Sequence, residues 1–232
     1  MMAPVDAAQR SVRAPFPVPV GVATMPVVRS AEADELVERA RAGDKAAFRE
    51  LFRRHRGDVA RLAYRMLGAG GGRNSAADLE DLVQEVFLQV HRSLSDFRGQ
   101  SKFSTWLHRV TVNVVLMNRR AARSRPVFAT EVSENEPDRG GCPDEEAAKS
   151  RRIEAFRRVL DKLPEKKRTV FVLHELEGLA PAEIAAVVDA PVLTIRTRLF
   201  YARRELCELM KDEPSLAALA DELGRDGTKE EA

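Results

Sequence analysis

Trp106, Arg109, Asn113, Leu116, Arg120 and Arg123 recur at intervals of three and four, which at about 100° per residue puts them on one face of a helix. That face offers a π-surface, an amide and guanidinium groups, with no carboxylate. Such a set suits unpaired bases and phosphates, because rings stack on bases and arginines follow the backbone. Gly99, Gln100, Ser101 and Lys102 precede it as a short polar loop between Phe97 and Phe103. A second set, Arg196, Thr197, Phe200, Tyr201 and Arg204 with Arg198 among them, lies opposite an apolar stripe on another helix. Arg, Thr and two aromatics suit base edges and phosphates in a major groove. A third set differs in chemistry: Asp81, Gln84, Glu85 and Leu88 share a face at i, i+3, i+4 and i+7. Its carboxylates, with Asp78 and Glu80 nearby, fit a solvated helix face, a hard cation or a basic docking partner. No His or second acidic cluster completes a coordination set, so no metal is expected.

Each set has a plainer reading. A lone Trp at a helix start serves a core as readily as a ligand, and the second set could line an ordinary bundle helix. VTVNVV alternates like a strand, but the long stripe Leu107, Val110, Val114, Met117 and Ala121, with Ser104 or Thr105 as N-cap, predicts a helix.

The positioning elements follow in chain order. A short helix is expected over 34–41, and Asp44 should cap a long one to about 67 whose apolar row Phe48, Phe52, Val59, Leu62 and Met66 also holds a packed His55. The glycine-rich 68–75 lacks the GK[ST] and preceding strand of a phosphate loop. The acidic set rides on a helix over 78–94 that buries Leu79, Val83, Val86 and Val90. After a second-half helix over 148–163 comes another over 165–177, a short one from Pro181, the turn Asp189-Ala190-Pro191, and a long one over 193–210 that buries Ile195, Leu199, Ala202 and Leu206. Short helix, tight turn and long helix form a helix-turn-helix signature.

The predicted fold is therefore all-α: two helical domains, 31–125 and 148–211, joined by a flexible acidic linker over 126–147. Residues 1–30, rich in Pro and Ala, are expected to form a disordered tail, and 212–232 an accessory C-terminal tail. Net charge is only +2 with 32% charged residues, so the distribution of charge says more than its total. Cys142 and Cys207 stand far apart, which argues against a disulfide framework or a zinc site and fits a reducing cytoplasm. The uncharged run 14–28 is too short and too proline-broken to enter a membrane. No nucleophile, metal set or cofactor loop is legible, and HELEG at 174–178 is not HExxH. An enzyme is not expected, nor a cofactor.

Taken together, residues 34–211 resemble an extracytoplasmic-function (ECF) sigma factor of bacterial RNA polymerase, in group IV of the sigma-70 family. DLVQEVFL (81–88) is similar to the helix that grips the β′ clamp coiled coil of core polymerase. FRGQSKFSTWLHRVTVN (97–113) is similar to the strand-opening segment, and the Arg-rich end of its helix to the upstream part of −10 recognition. LPEKKRTVFVLHELEGLAPAEIAAVVDAPVLTIRTRLFYARREL (163–206) is similar to the −35-binding domain. The resemblance implies a bacterial cytoplasmic protein whose partners are core polymerase (β′ clamp and β flap), promoter DNA and an anti-sigma factor. It implies polymerase contact by Asp81, Gln84, Glu85 and Leu88. It implies −10 contact by Phe97, Gly99, Gln100, Ser101, Lys102, Phe103, Trp106, Arg109, Asn113, Arg120 and Arg123, and −35 contact by Arg196, Thr197, Arg198, Phe200, Tyr201 and Arg204. Three departures stand out. Ala180 replaces a hydroxyl N-cap, which forfeits about 1 kcal/mol; Asp189 and Leu193 stand where the family commonly has Gly. A helix-turn-helix repressor would leave the Asp81 face and the Trp106 loop unused, and a structural adaptor would leave both basic-aromatic faces unexplained.

Overall fold

The computed structural model describes residues 31–68, 76–124, 143–217 and 219–220, all helices and turns with no strand among them. The tail over 1–30, most of the glycine-rich loop and most of the acidic linker lie outside the described residues. Helices α1 (Ala31–Arg41), α2 (Lys45–Leu67), α3 (Ala76–Ser93) and α4 (Phe103–Ser124) build the first bundle, with a 3₁₀ turn at Leu94–Asp96. Helices α5 (Pro143–Lys162), α6 (Glu165–Phe171), α7 (Pro181–Val188) and α8 (Val192–Lys211) build the second, and α6 runs on into a π-helical turn, Val172–Leu176. Asp44 caps α2 as expected, its carboxylate accepting from the Ala46 and Ala47 N–H groups at 2.8 and 3.1 Å.

The two bundles share one core. Buried Val59, Leu62, Val83, Val86 and Leu107 of the first are continuous with Phe171, Leu173, Ile184, Ile195 and Leu206 of the second, and α7 packs against α4. A polar seam reinforces the junction at the end of α2. Its last carbonyls have no partner within the helix and are taken up by guanidinium groups, Arg119 bonding Met66 and Leu67 and Arg157 bonding Gly68 at 2.9 Å. Asp161 then joins Arg119 and Arg168. Gly68 is required twice over: its φ is 76°, and a Cβ would lie 1.9 Å from the Asp161 carboxylate.

Four expectations need correction. Helix α5 starts at Pro143, inside the predicted linker, because Pro suits a first helical position and the acidic composition after it suits a first turn. Helix α4 starts at Phe103, so Ser104 and Thr105 sit within its first turn and do not cap it. Met117 is 64% exposed and Ala121 exposed, because α4 is packed there on the side of Val115 and Arg119, which leaves the Met117 side to solvent. Past residue 211, Leu216 and Ala220 are buried, so the packed unit continues into the segment read as an accessory tail. Among the described residues no helix is long and apolar enough to cross a membrane.

Candidate nucleic-acid interface

The loop before α4 is braced at both ends by rings. Phe97 is buried beside Trp106 and Phe103, with centroids 5.4 and 5.9 Å away, and Phe103 and Trp106 are 5.7 Å apart. His55, half-buried as expected, adds a ring 5.4 Å from Phe103. Between these anchors Gly99, Gln100 and Ser101 project into solvent, and Gly99 takes φ 69°, open to glycine without strain. Trp106 is half-buried, so packing and surface readings both describe part of it. Phe97 has its ring inside and positions the loop.

Beyond the loop, Arg109 and Asn113 are exposed on α4. Arg120 is exposed but bound to Glu165 at 2.9 Å, and Lys102 lies 3.8 Å from Glu183. Both partners come from the second bundle. Arg119 turns inward to the seam, and the Arg123 side chain lies outside the described residues. The arginines that look like one ladder in sequence thus divide between packing and surface.

On α3, Asp81, Gln84 and Glu85 are exposed and Leu88 is 57% exposed, opposite buried Val83, Val86 and Val90. Glu80 is drawn aside to Arg56 at 2.6 Å. Asp78, Asp81 and Glu85 border a shallow depression that also meets Leu67, Leu82 and Asn118. Asn118, on α4, was not singled out in the sequence, since only the packing of α3 on α4 brings it there. No group of three His, Cys, Asp or Glu residues arranged to hold a metal occurs among the described residues.

Helix α8 separates its faces cleanly. Ile195, Leu199, Ala202 and Leu206 are buried, while Arg196, Thr197, Phe200, Tyr201 and Arg204 are exposed and Arg198 half-buried. Phe200 and Tyr201, 50% and 48% exposed, meet edge to face at 5.3 Å. The Thr197 hydroxyl donates to the Leu193 carbonyl at 3.0 Å. Ala180 leaves α7 without a hydroxyl cap, yet half of the reciprocal arrangement survives, the Ala180 N–H donating to the Glu183 carboxylate at 3.0 Å.

The HELEG segment is structural. Its Glu175 and Glu177 lie on and just after the π-helical turn, buried; Glu175 accepts from Arg203 of α8 at 2.6 Å and Glu177 from Arg65 of α2 at 2.7 Å. Burial pushes the Glu177 carboxyl above its ordinary value, and Arg65 pulls it back. His174 Nδ1 is 2.8 Å from the Leu179 carbonyl.

Comparison with known proteins agrees with this layout. The family model described as Sigma-70 region 2 matches residues 51–125, and that described as Sigma-70, region 4 matches 153–206. The ECF RNA polymerase sigma-E factor of Escherichia coli (strain K12) is 36% identical over 180 residues, 74% of this chain and 90% of that protein. The sigma-E factor of Haemophilus influenzae is 38% identical over 177 residues, 72% of this chain and 89% of that protein. The solved structure of CnrH in complex with the cytosolic domain of CnrY aligns with TM-score 0.56 and 27% identity, covering 78% of this chain and 99% of that one. The sigma factor RpoE in complex with the anti-sigma factor NepR from Bartonella quintana aligns with TM-score 0.53 at 20% identity over 72% of this chain and 98% of that one, a likeness of fold.

Proposed function

The chain belongs to the ECF sigma factors of the sigma-70 family, and from that premise we propose that it directs core RNA polymerase to promoters by reading −10 and −35 elements and nucleating strand opening. Sigma factors are not enzymes; they act in transcription initiation through the polymerase. The observation that carries the finer reading is the division of α8, which buries its apolar stripe and exposes Arg196, Phe200, Tyr201 and Arg204. The braced loop Gly99–Lys102, with Arg109 and Asn113 along α4, supports capture of unpaired −10 bases. Asp81, Gln84, Glu85 and Leu88 support docking of a basic polymerase surface.

Energetics require that partner. Opening about ten base steps costs on the order of 14 kcal/mol. One captured or stacked base returns about 1–3 kcal/mol. A chain of this size can nucleate a bubble, and the polymerase must hold it. CnrH and RpoE were each solved with a protein partner, which supports an anti-sigma partner for this chain too.

The test compares promoter binding and run-off transcription with and without core polymerase, for the wild type and for Asp81→Ala/Glu85→Ala. Tight promoter binding should need core, and the double variant should lose core binding in a pull-down while melting like the wild type, since both positions lie off the buried stripe. Tight binding to duplex promoter without core would instead make the protein a conventional repressor.

A further inference from the structure

We propose that Leu193, at the start of α8, reads a thymine methyl group in the −35 element. The inference rests on the assignment of α8 as the −35-reading helix and adds a chemical identity to one of its contacts.

Large apolar side chains are exposed at Tyr64, Leu88, Met117, Val192, Leu193, Phe200 and Tyr201 among the described residues. Four of these seven fall within the first ten residues of α8. Single exposed leucines are ordinary, but a cluster on one short helix segment is not. Leu193 is the most exposed of them at 75% and takes no part in the buried clusters.

Its place on the helix fixes what it can meet. A recognition helix presents its N-terminal residues to base edges in the major groove, and Leu193 is the second residue of α8. Arg196 and Thr197 lie at i+3 and i+4 on the same side. Thr197 already gives its hydroxyl proton to the Leu193 carbonyl. This end of the face therefore presents apolar surface beside one guanidinium, with Arg198 and Arg204 further along. In the major groove the apolar base-edge group is the C5-methyl of thymine. A purely apolar protein surface would have to desolvate those arginines, whereas DNA phosphates neutralise them.

The test uses holoenzyme assembled from the full chain and core polymerase, and a promoter pool randomised across the −35 region. Sequences retained by the wild type, Leu193→Gly and Leu193→Met are compared. The wild type should enrich thymine at one base pair; Leu193→Met should keep that preference, and Leu193→Gly should lose it while keeping the others, which also shows that α8 is intact. Replacing that thymine with deoxyuridine removes only its methyl. It should weaken wild-type binding about fourfold, the effect of one methyl-sized group leaving water, and leave Leu193→Gly unchanged. An unaltered selection with Leu193→Gly, or equal deoxyuridine effects on both proteins, overturns the Leu193 contact alone. Absence of any −35 preference in the wild type overturns the reading of α8 and this contact with it.

Discussion

Arg65 on α2 donates to Glu177 at 2.7 Å and to the neighbouring Leu176 carbonyl at 2.6 Å, and the carboxylate it meets is 1% exposed. The two residues belong to different sigma regions, so the pair ties region 2 to region 4. A buried pair gains little over an apolar replacement, but removal of one member leaves an uncompensated charge. Arg65→Met should therefore lower stability by about 3–5 kcal/mol. Arg65→Met/Glu177→Leu should recover most of that loss. Thermal unfolding of the two single variants and the double variant closes the cycle, and additive effects would mean that the residues are not coupled as described.

Asp189 ends α7 with φ 51° and ψ 61°, the one non-glycine residue at positive φ among those described. The left-handed conformation disfavours a Cβ, and Asp tolerates it better than most residues. Asp189→Gly should raise stability by about 0.5–1 kcal/mol, the relieved strain outweighing the added freedom of the unfolded chain. Asp189→Ala should lower it by about 1 kcal/mol. Calorimetry decides; a glycine variant less stable than wild type would mean that the Asp189 carboxylate contributes more than the turn costs.

Why this aspartate was legible as a departure, and Arg65–Glu177 was not legible as a pair, comes down to range. Helices, the Asp44 cap and the buried stripe of α8 follow from neighbours three or four residues away, and the sequence contains those. The exposed acidic face of α3 follows in the same way. The seam between bundles depends on residues 42 to 112 positions apart, and nothing in the spacing of Arg65 or Glu177 announces it. One sign was present: two carboxylates standing in the run VFVLHELEGL, where apolar neighbours imply burial and hence arginine partners. The same limit explains Arg120. Local periodicity placed it on a nucleic-acid face, and only the second bundle shows that it meets Glu165.

His55 and His108 both have pKa values lowered from 6.5, chiefly by burial. His108 Nδ1–H donates to the Ser104 carbonyl at 2.7 Å, while its Nε2 and the His55 Nδ1 are buried without partners. Asp58 opposes the shift at both, Arg54 adds to it at His55, and Glu183 opposes it at His108. In this window the unfolded chain binds the protons first, so stability is intact above 6.5 and is lost as pH falls toward the depressed folded values. Glu177 works in the opposite sense: its stability contribution is present below 4.5 and is lost as pH rises through its raised value. Melting temperature should accordingly fall between pH 7.5 and pH 5.5, roughly the span over which an unperturbed histidine titrates. His55→Phe/His108→Phe should flatten that slope. A slope unchanged by the substitutions would place the acid sensitivity elsewhere.

Lys102 offers the most direct separation of packing from promoter opening, because it belongs to the exposed loop and also lies 3.8 Å from Glu183. Both side chains are over a third exposed, so the pair is worth only about 0–1 kcal/mol. Glu183 has a second task, accepting the Ala180 N–H at the start of α7. Glu183→Gln keeps an acceptor there and removes the charge that faces Lys102. If Lys102 serves only to hold the bundles together, Glu183→Gln and Lys102→Ala should behave alike. If the loop captures a flipped base, Gln100→Ala/Lys102→Ala should depress transcription from a fully paired promoter while Glu183→Gln does not. The loop variant should then regain most of its activity on a template whose −10 region is pre-melted by mismatches, because the few kcal/mol needed to extrude a base have already been supplied. Permanganate reactivity of unpaired thymines reads the bubble on both templates. Equal loss on paired and pre-melted DNA, or a normal bubble in the loop variant, would remove the loop from strand opening.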